Sequence, residues 1–149
     1  MRCALAIALT FPFASVLPAQ IDVPTRPRER DYYAWITQVV TAPHALIEPR
    51  DDTTNSRRFR MVVLTSEIYS TAILEEVRFG PEGCCARVSS AREIDLDSLA
   101  RRFGHQGELA GLTVVDALSP TSFRVRFKGR AFDLTNVDRP RIRVAEIPQ

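Results

Sequence analysis

Two adjacent cysteines, Cys84 and Cys85, have the most distinctive potential chemistry in this sequence. Their Cα atoms lie about 3.8 Å apart across a trans peptide, which is shorter than the usual separation in a disulfide. The pair closes no stabilising loop, so the functional alternatives are a strained vicinal disulfide, a soft-metal or redox site, and an intermolecular disulfide. The simplest interpretation has one side chain in the core and the other pointing outward at a strand start. Two thiols without a histidine cluster do not complete a zinc site, and we expect neither metal nor cofactor.

The second candidate is His105, which follows a predicted helix and, with His44, completes the histidines of the chain. With Glu108 nearby, His105 has the chemistry of a general base. However, the surrounding residues contain no nucleophile motif such as Gly-x-Ser-x-Gly. A small hydrolase with a site near His105 is therefore the alternative function, and a solvated turn residue is the simpler interpretation.

Three acidic residues, Glu93, Asp95 and Asp97, alternate along the chain. On a strand they would share one face and could hold calcium, whereas at a helix start they would serve as a cap and as partners of the helix dipole. The segment lacks the glycine and the terminal glutamate of a calcium-binding loop. The apolar spacing that follows indicates a helix, so the capping role is favoured.

A set of basic residues in the last two predicted strands is the strongest candidate for a binding surface. Residues 122–128 and 141–147 alternate between apolar and basic side chains, and a period of two places each set on one face of its strand. We call the basic set the arginine face; it comprises Arg124, Arg126, Lys128, Arg141 and Arg143. Such a face can bind phosphate, acidic polysaccharide, anionic lipid or an acidic protein. The alternative is an ordinary solvated face of an antiparallel sheet.

The beginning of the chain has the pattern of a cleavable signal peptide over residues 1–19. Arg2 supplies the positive start, an apolar run extends from Cys3 to Leu17, and Ala19 is a small residue at the exit. Cleavage after Ala14 is the alternative to cleavage after Ala19. A spanning helix requires about 20 apolar residues, and this run is shorter and contains prolines. We therefore expect export to the periplasm or secretion, with no transmembrane segment after signal removal.

Removal of residues 1–19 leaves 130 of the 149 residues, with 19 basic and 18 acidic side chains and a net charge of +1. This length suits one domain, and the charge provides no general attraction to nucleic acid. Residues 20–30 are polar and contain two prolines, so they are predicted to form an extended leader. Residues 31–149 are predicted to form a single globular domain.

Periodicity in residues 31–149 predicts the elements that position these candidates. A helical spacing over residues 31–42 predicts a helix that Pro43 ends, with a strand as the alternative because of its β-branched residues. A second helix is predicted from Leu96 to Phe103, with Asp95 as its N-cap and Gly104 following it. The predicted strands cover residues 59–65, 68–79, 85–90, 112–118, 122–128, 130–137 and 141–147, with a helix as the alternative for residues 68–79.

The predicted fold class is therefore α+β: a mostly antiparallel sheet of about five to six strands with one or two covering helices. The predicted function is that of an exported, non-catalytic binding or accessory domain of the cell envelope. Its arginine face would engage an anionic ligand or an acidic partner, and no nucleic acid. A subunit that acts only within a larger assembly is a third interpretation, with residues 20–30 as an arm that orders on binding.

Overall fold

The computed structural model describes residues 20–27, 36–43, 46–48, 55–65, 70–80, 85–105, 113–127 and 129–148. Within these ranges the chain forms eleven strands and one helix of seven residues. The elements in chain order are β1 (Gln20–Pro24), β2 (Arg26–Pro27), β3 (Ile36–Thr41), β4 (Leu46–Glu48), β5 (Asn55–Thr65), β6 (Ser70–Phe79), β7 (Arg87–Asp95), α1 (Leu96–Arg102), β8 (Val114–Ser119), β9 (Ser122–Phe127), β10 (Arg130–Thr135) and β11 (Arg141–Ile147).

The strands form two antiparallel sheets that share one apolar core. Sheet A has the order β1-β11-β10-β9-β8, and sheet B has the order β2-β7-β6-β5-β3 with β4 beside β5. The core cluster contains Phe59 and Met61 from sheet B together with Phe123 and Phe132 from sheet A. The architecture of the described residues is thus a β-sandwich.

The predicted α+β class with one or two covering helices is wrong, because the described part of the chain is mostly β and has one short helix. The prediction counted about five to six strands in one sheet, whereas the described residues form eleven strands in two sheets. Strand β3 occupies part of the first predicted helix, and its bulge explains the error. Ile36 pairs with Leu64 and Val39 pairs with Val62, with a register shift between them. The extra residue puts Ile36 and Val39 on the same face at a spacing of three, which imitates helical periodicity. Residues 31–35 of that predicted helix lie outside the described residues.

The rest of the predicted element pattern agrees with the structure where it is described. Strand β6 pairs with β7 as a hairpin, although β7 begins at Arg87 instead of Cys85 and extends to Asp95. Helix α1 has Asp95 as its N-cap and Gly104 after its end, with φ +79°. The four predicted C-terminal strands are β8 to β11, and they form consecutive antiparallel pairs.

The two sheets are also connected at both of their edges. On one side the chain passes from β1 in sheet A to β2 in sheet B, so that residues 20–27 of the predicted leader pair with both β11 and β7. Arg92 on β7 reinforces this side by donating to the carbonyl oxygens of Val137 and Arg139 in the turn before β11. Desolvation lowers the pKa of Arg92, against the raising effect of nearby acidic residues.

On the other side a single side chain links β3 to β8. Gln38 Nε2 donates to the carbonyl oxygen of Val115 at 3.0 Å, and the Val115 N–H donates to Gln38 Oε1 at 3.0 Å. The bulge that precedes Gln38 is supported by Thr37, whose hydroxyl donates to the Val63 carbonyl oxygen at 3.2 Å. The amide of Gln38 therefore replaces a neighbouring strand at the edge of sheet A.

Candidate functional site

The described arginines of the predicted arginine face lie on the outer surface of sheet A. Arg124 and Arg126 alternate on β9 with buried core residues, and Arg141 and Arg143 do the same on β11. Strand β10 lies between these two strands and pairs with both. The predicted shared face is therefore present for these four residues, whereas Lys128 lies outside the described residues.

Acidic side chains from adjacent strands neutralise the β9 part of this face. Arg124 donates to both carboxylate oxygens of Asp133 on β10, from Nε at 2.6 Å and from Nη2 at 2.8 Å. These hydrogen bonds raise the pKa of Arg124 further above its ordinary value. Arg126 forms an ion pair with Asp116 on β8. The guanidinium groups of β9 are therefore held in place by protein carboxylates, which occupy part of their hydrogen-bonding capacity.

The β11 part of the face is more open. Arg143 Nε is 3.8 Å from Asp22 Oδ1 on β1, and both side chains are more than half exposed, at 52% and 58%. Arg141 is exposed, and its side chain has no hydrogen-bond or ion-pair partner within the described residues. Arg141 and Arg143, which we call the open arginines, are therefore the positive charges of this face that can accept an external anion.

His105 forms a pair with a carboxylate that the sequence analysis did not identify. Its Nε2 atom is 2.8 Å from Glu146 Oε1, and Arg130 Nη1 is 3.5 Å from the same oxygen. Glu146 lies 41 residues away in sequence, so local spacing contained no signal for the pair. The expected neighbour, Glu108, lies outside the described residues. Among the described side chains, no serine, threonine or cysteine is hydrogen-bonded to His105, so they do not complete a nucleophile–base set.

The alternating acidic residues are divided between two structural roles. Asp95 accepts hydrogen bonds from the Ser98 N–H at 2.9 Å and from the Ser98 hydroxyl at 2.7 Å, as an N-cap does. Burial opposes ionisation of Asp95, but these bonds and the charge of Arg101 outweigh it, so its pKa is lowered. Glu93 instead accepts a hydrogen bond from Thr71 at 3.1 Å. Within the described ranges, no group of three or more His, Cys, Asp or Glu residues is placed to hold a metal ion.

The cysteine pair is only partly described. Cys85 carries a free, exposed thiol and has a positive φ of 56°, and it lies in the turn that precedes β7. Cys84 lies outside the described residues, so the vicinal and metal-binding alternatives for the pair remain predictions. An exposed thiol is compatible with the predicted intermolecular disulfide.

The described residues thus define an antiparallel β-sandwich with a charged outer face on sheet A. No family model, curated protein or solved structure matches the chain. In the part of the chain that the structure describes, the one helix lacks the length and apolar character needed to cross a membrane.

Proposed function

We propose that this chain is an exported, non-catalytic binding domain of the cell envelope that holds an anionic ligand or an acidic partner through the open arginines. The observation that carries the proposal is the exposure of Arg141 and Arg143 on one strand face. The described counter-charge of Arg143 is a loose contact with the exposed carboxylate of Asp22. Guanidinium groups bind carboxylate, phosphate and sulfate with paired hydrogen bonds, so this strand has the donors that an anion requires.

Arg124 and Arg126, the neutralised arginines of β9, contribute fixed charges to the same face of sheet A. Both are held by cross-strand carboxylates, so they form a fixed pattern of mixed charge on β9, on the same sheet face as the open arginines of β11. A partner that docks there meets an ordered pattern, because the backbone of sheet A fixes the strand spacing. We therefore expect charge reversal at Arg124 to disturb the sheet through Asp133, and we place the test of binding at Arg141 and Arg143.

Binding is tested with the secreted protein against heparin, against vesicles of phosphatidylcholine with phosphatidylglycerol, and against polyglutamate, at low and physiological salt. The variant is Arg141→Glu/Arg143→Glu, and the matched control is Arg87→Glu/Arg102→Glu, which reverses two exposed arginines elsewhere. We expect the first variant to weaken binding about tenfold or more, because each lost charge-assisted contact contributes on the order of 1.5–3 kcal/mol. The control keeps wild-type affinity.

The three anions separate the sources of the ligand chemistry: a sulfated polysaccharide, a lipid headgroup or an acidic polypeptide. Affinity should fall as salt rises, since exposed charges are screened over about 8–10 Å at physiological ionic strength. Binding that both variants weaken equally shows general charge attraction and contradicts the assignment to the open arginines. The absence of binding to all three anions contradicts the proposed function.

A further inference from the structure

Gln20 has a special position in both the sequence and the fold. It directly follows the predicted cleavage position after Ala19, and it is the first residue of β1. Gln20 is exposed, and its backbone pairs with Ala145 on β11. Cleavage at that position would make the α-amino group of Gln20 the N-terminus of the folded domain. The inference below rests on the export that the proposed function includes.

We propose that Gln20 is a modification site, at which the new N-terminus closes to pyroglutamate. The α-amino nitrogen attacks the side-chain amide carbon Cδ, and a five-membered lactam forms. The bond between Cδ and the amide nitrogen breaks, and ammonia leaves with the proton that the amine loses. The reaction is a transamidation within one residue, so it requires no oxidant, reductant or cofactor.

The fold leaves this reaction unobstructed. Val23 of β1 is buried in the core and Ile21 packs against it, so the alternation of the strand places Gln20 and Asp22 on the outer face. The exposed side chain of Gln20 is therefore free to curl back toward its own α-nitrogen. Gln20 is the first residue of β1, so residues 21–24 can stay paired with β11 while the ring closes at Gln20.

The modification changes the charge at the border of the arginine face. In the register of sheet A, Gln20 lies opposite Ala145, and Ala145 lies opposite Asp133, the partner of Arg124. An α-ammonium group would add one positive charge at this edge, and the lactam removes it while it keeps one N–H donor. Ring closure also leaves no free α-amine for an aminopeptidase to recognise.

The test is the intact mass of protein exported from cells that express the full 149-residue chain, measured on collection and after incubation at neutral pH. We expect the species that begins at Gln20 to lose about 17 Da, the mass of ammonia, and to resist N-terminal sequencing until pyroglutamyl peptidase treatment. The matched controls are Gln20→Glu, which must expel water from a less reactive carboxylate, and Gln20→Asn, which would have to form a four-membered ring. Both should keep an open N-terminus over the same period.

Each outcome decides the proposal. Persistence of an uncyclised Gln20 terminus through the incubation overturns it, as does equal conversion of the Gln20→Asn variant. A terminus other than Gln20, or retention of Met1, overturns it by removing the required amine. The anion-binding assay with Arg141→Glu/Arg143→Glu is read separately, so failure of ring closure and failure of the proposed binding are distinguishable.

Discussion

Replacement of Gln38 by alanine should destabilise the contact between β3 of sheet B and β8 of sheet A. The substitution removes both hydrogen bonds to the backbone of Val115, a residue that is only 1% exposed. A net contribution of about 1 kcal/mol for each bond predicts a loss of about 2 kcal/mol in the free energy of unfolding. Because small domains have urea m values of about 1–3 kcal/mol/M, the midpoint should fall by about 1 M. The measurement is urea unfolding followed by circular dichroism.

Two further variants separate the amide from the general effects of a strand substitution. Thr41→Ala changes an exposed residue of the same strand and should cost a few tenths of a kcal/mol. Gln38→Met keeps most of the side-chain volume but no donor or acceptor, so it should destabilise nearly as much as Gln38→Ala. The reasoning is refuted by a Gln38→Ala midpoint equal to that of Thr41→Ala, or by a Gln38→Met protein as stable as the wild type.

Two other predictions concern the opposite edge and the helix. Arg92→Met should lower the free energy of unfolding by about 2 kcal/mol in urea unfolding, because it removes donors to the carbonyl oxygens of Val137 and Arg139; an unchanged midpoint would contradict this role. Asp95→Ala should cost about 1 kcal/mol as a lost N-cap. Because the folded pKa of Asp95 is lowered, its ionic contribution is complete above the unfolded value of about 3.9 and is lost as pH falls through the folded pKa. The stability difference between wild type and Asp95→Asn should therefore shrink at acid pH, and a constant difference from pH 7 to pH 2 would exclude this effect.

The second half of the fold was predictable because each of its signals is local. The alternation in β9 and β11 places one face in the core, and Gly129, with φ +66°, closes the two-residue turn between β9 and β10. Helix α1 is marked by Asp95 at its start and by Gly104 just beyond its end. These features depend on neighbours within a few residues, so a single sequence contains enough information to identify them.

The first half was harder because its organisation depends on distant partners. A bulge at Thr37 changes the apolar spacing of β3 from two to three, and the resulting pattern resembles a helix. Strand β1 lies within the polar, proline-containing stretch of residues 20–30 and pairs with β11 about 120 residues later, so composition alone marked it as a leader. The pairing of His105 with Glu146 and of Gln38 with Val115 likewise joins residues that only the folded chain brings together.

The charge balance of the arginine face shows how these two kinds of information combine. The two-residue turn sets Phe127 opposite Arg130, and this register necessarily places Arg124 opposite Asp133. That ion pair could have been derived from the sequence of the hairpin. The counter-charge of Arg143 could not, because Asp22 comes from β1. The pairing of Arg124 within this hairpin is thus fixed by local sequence, whereas the counter-charge of Arg143 on β11 depends on a strand from the other end of the chain. We therefore propose Arg141 and Arg143 as the binding residues of this face, because the only described counter-charge of the two is the loose contact of Arg143 with Asp22.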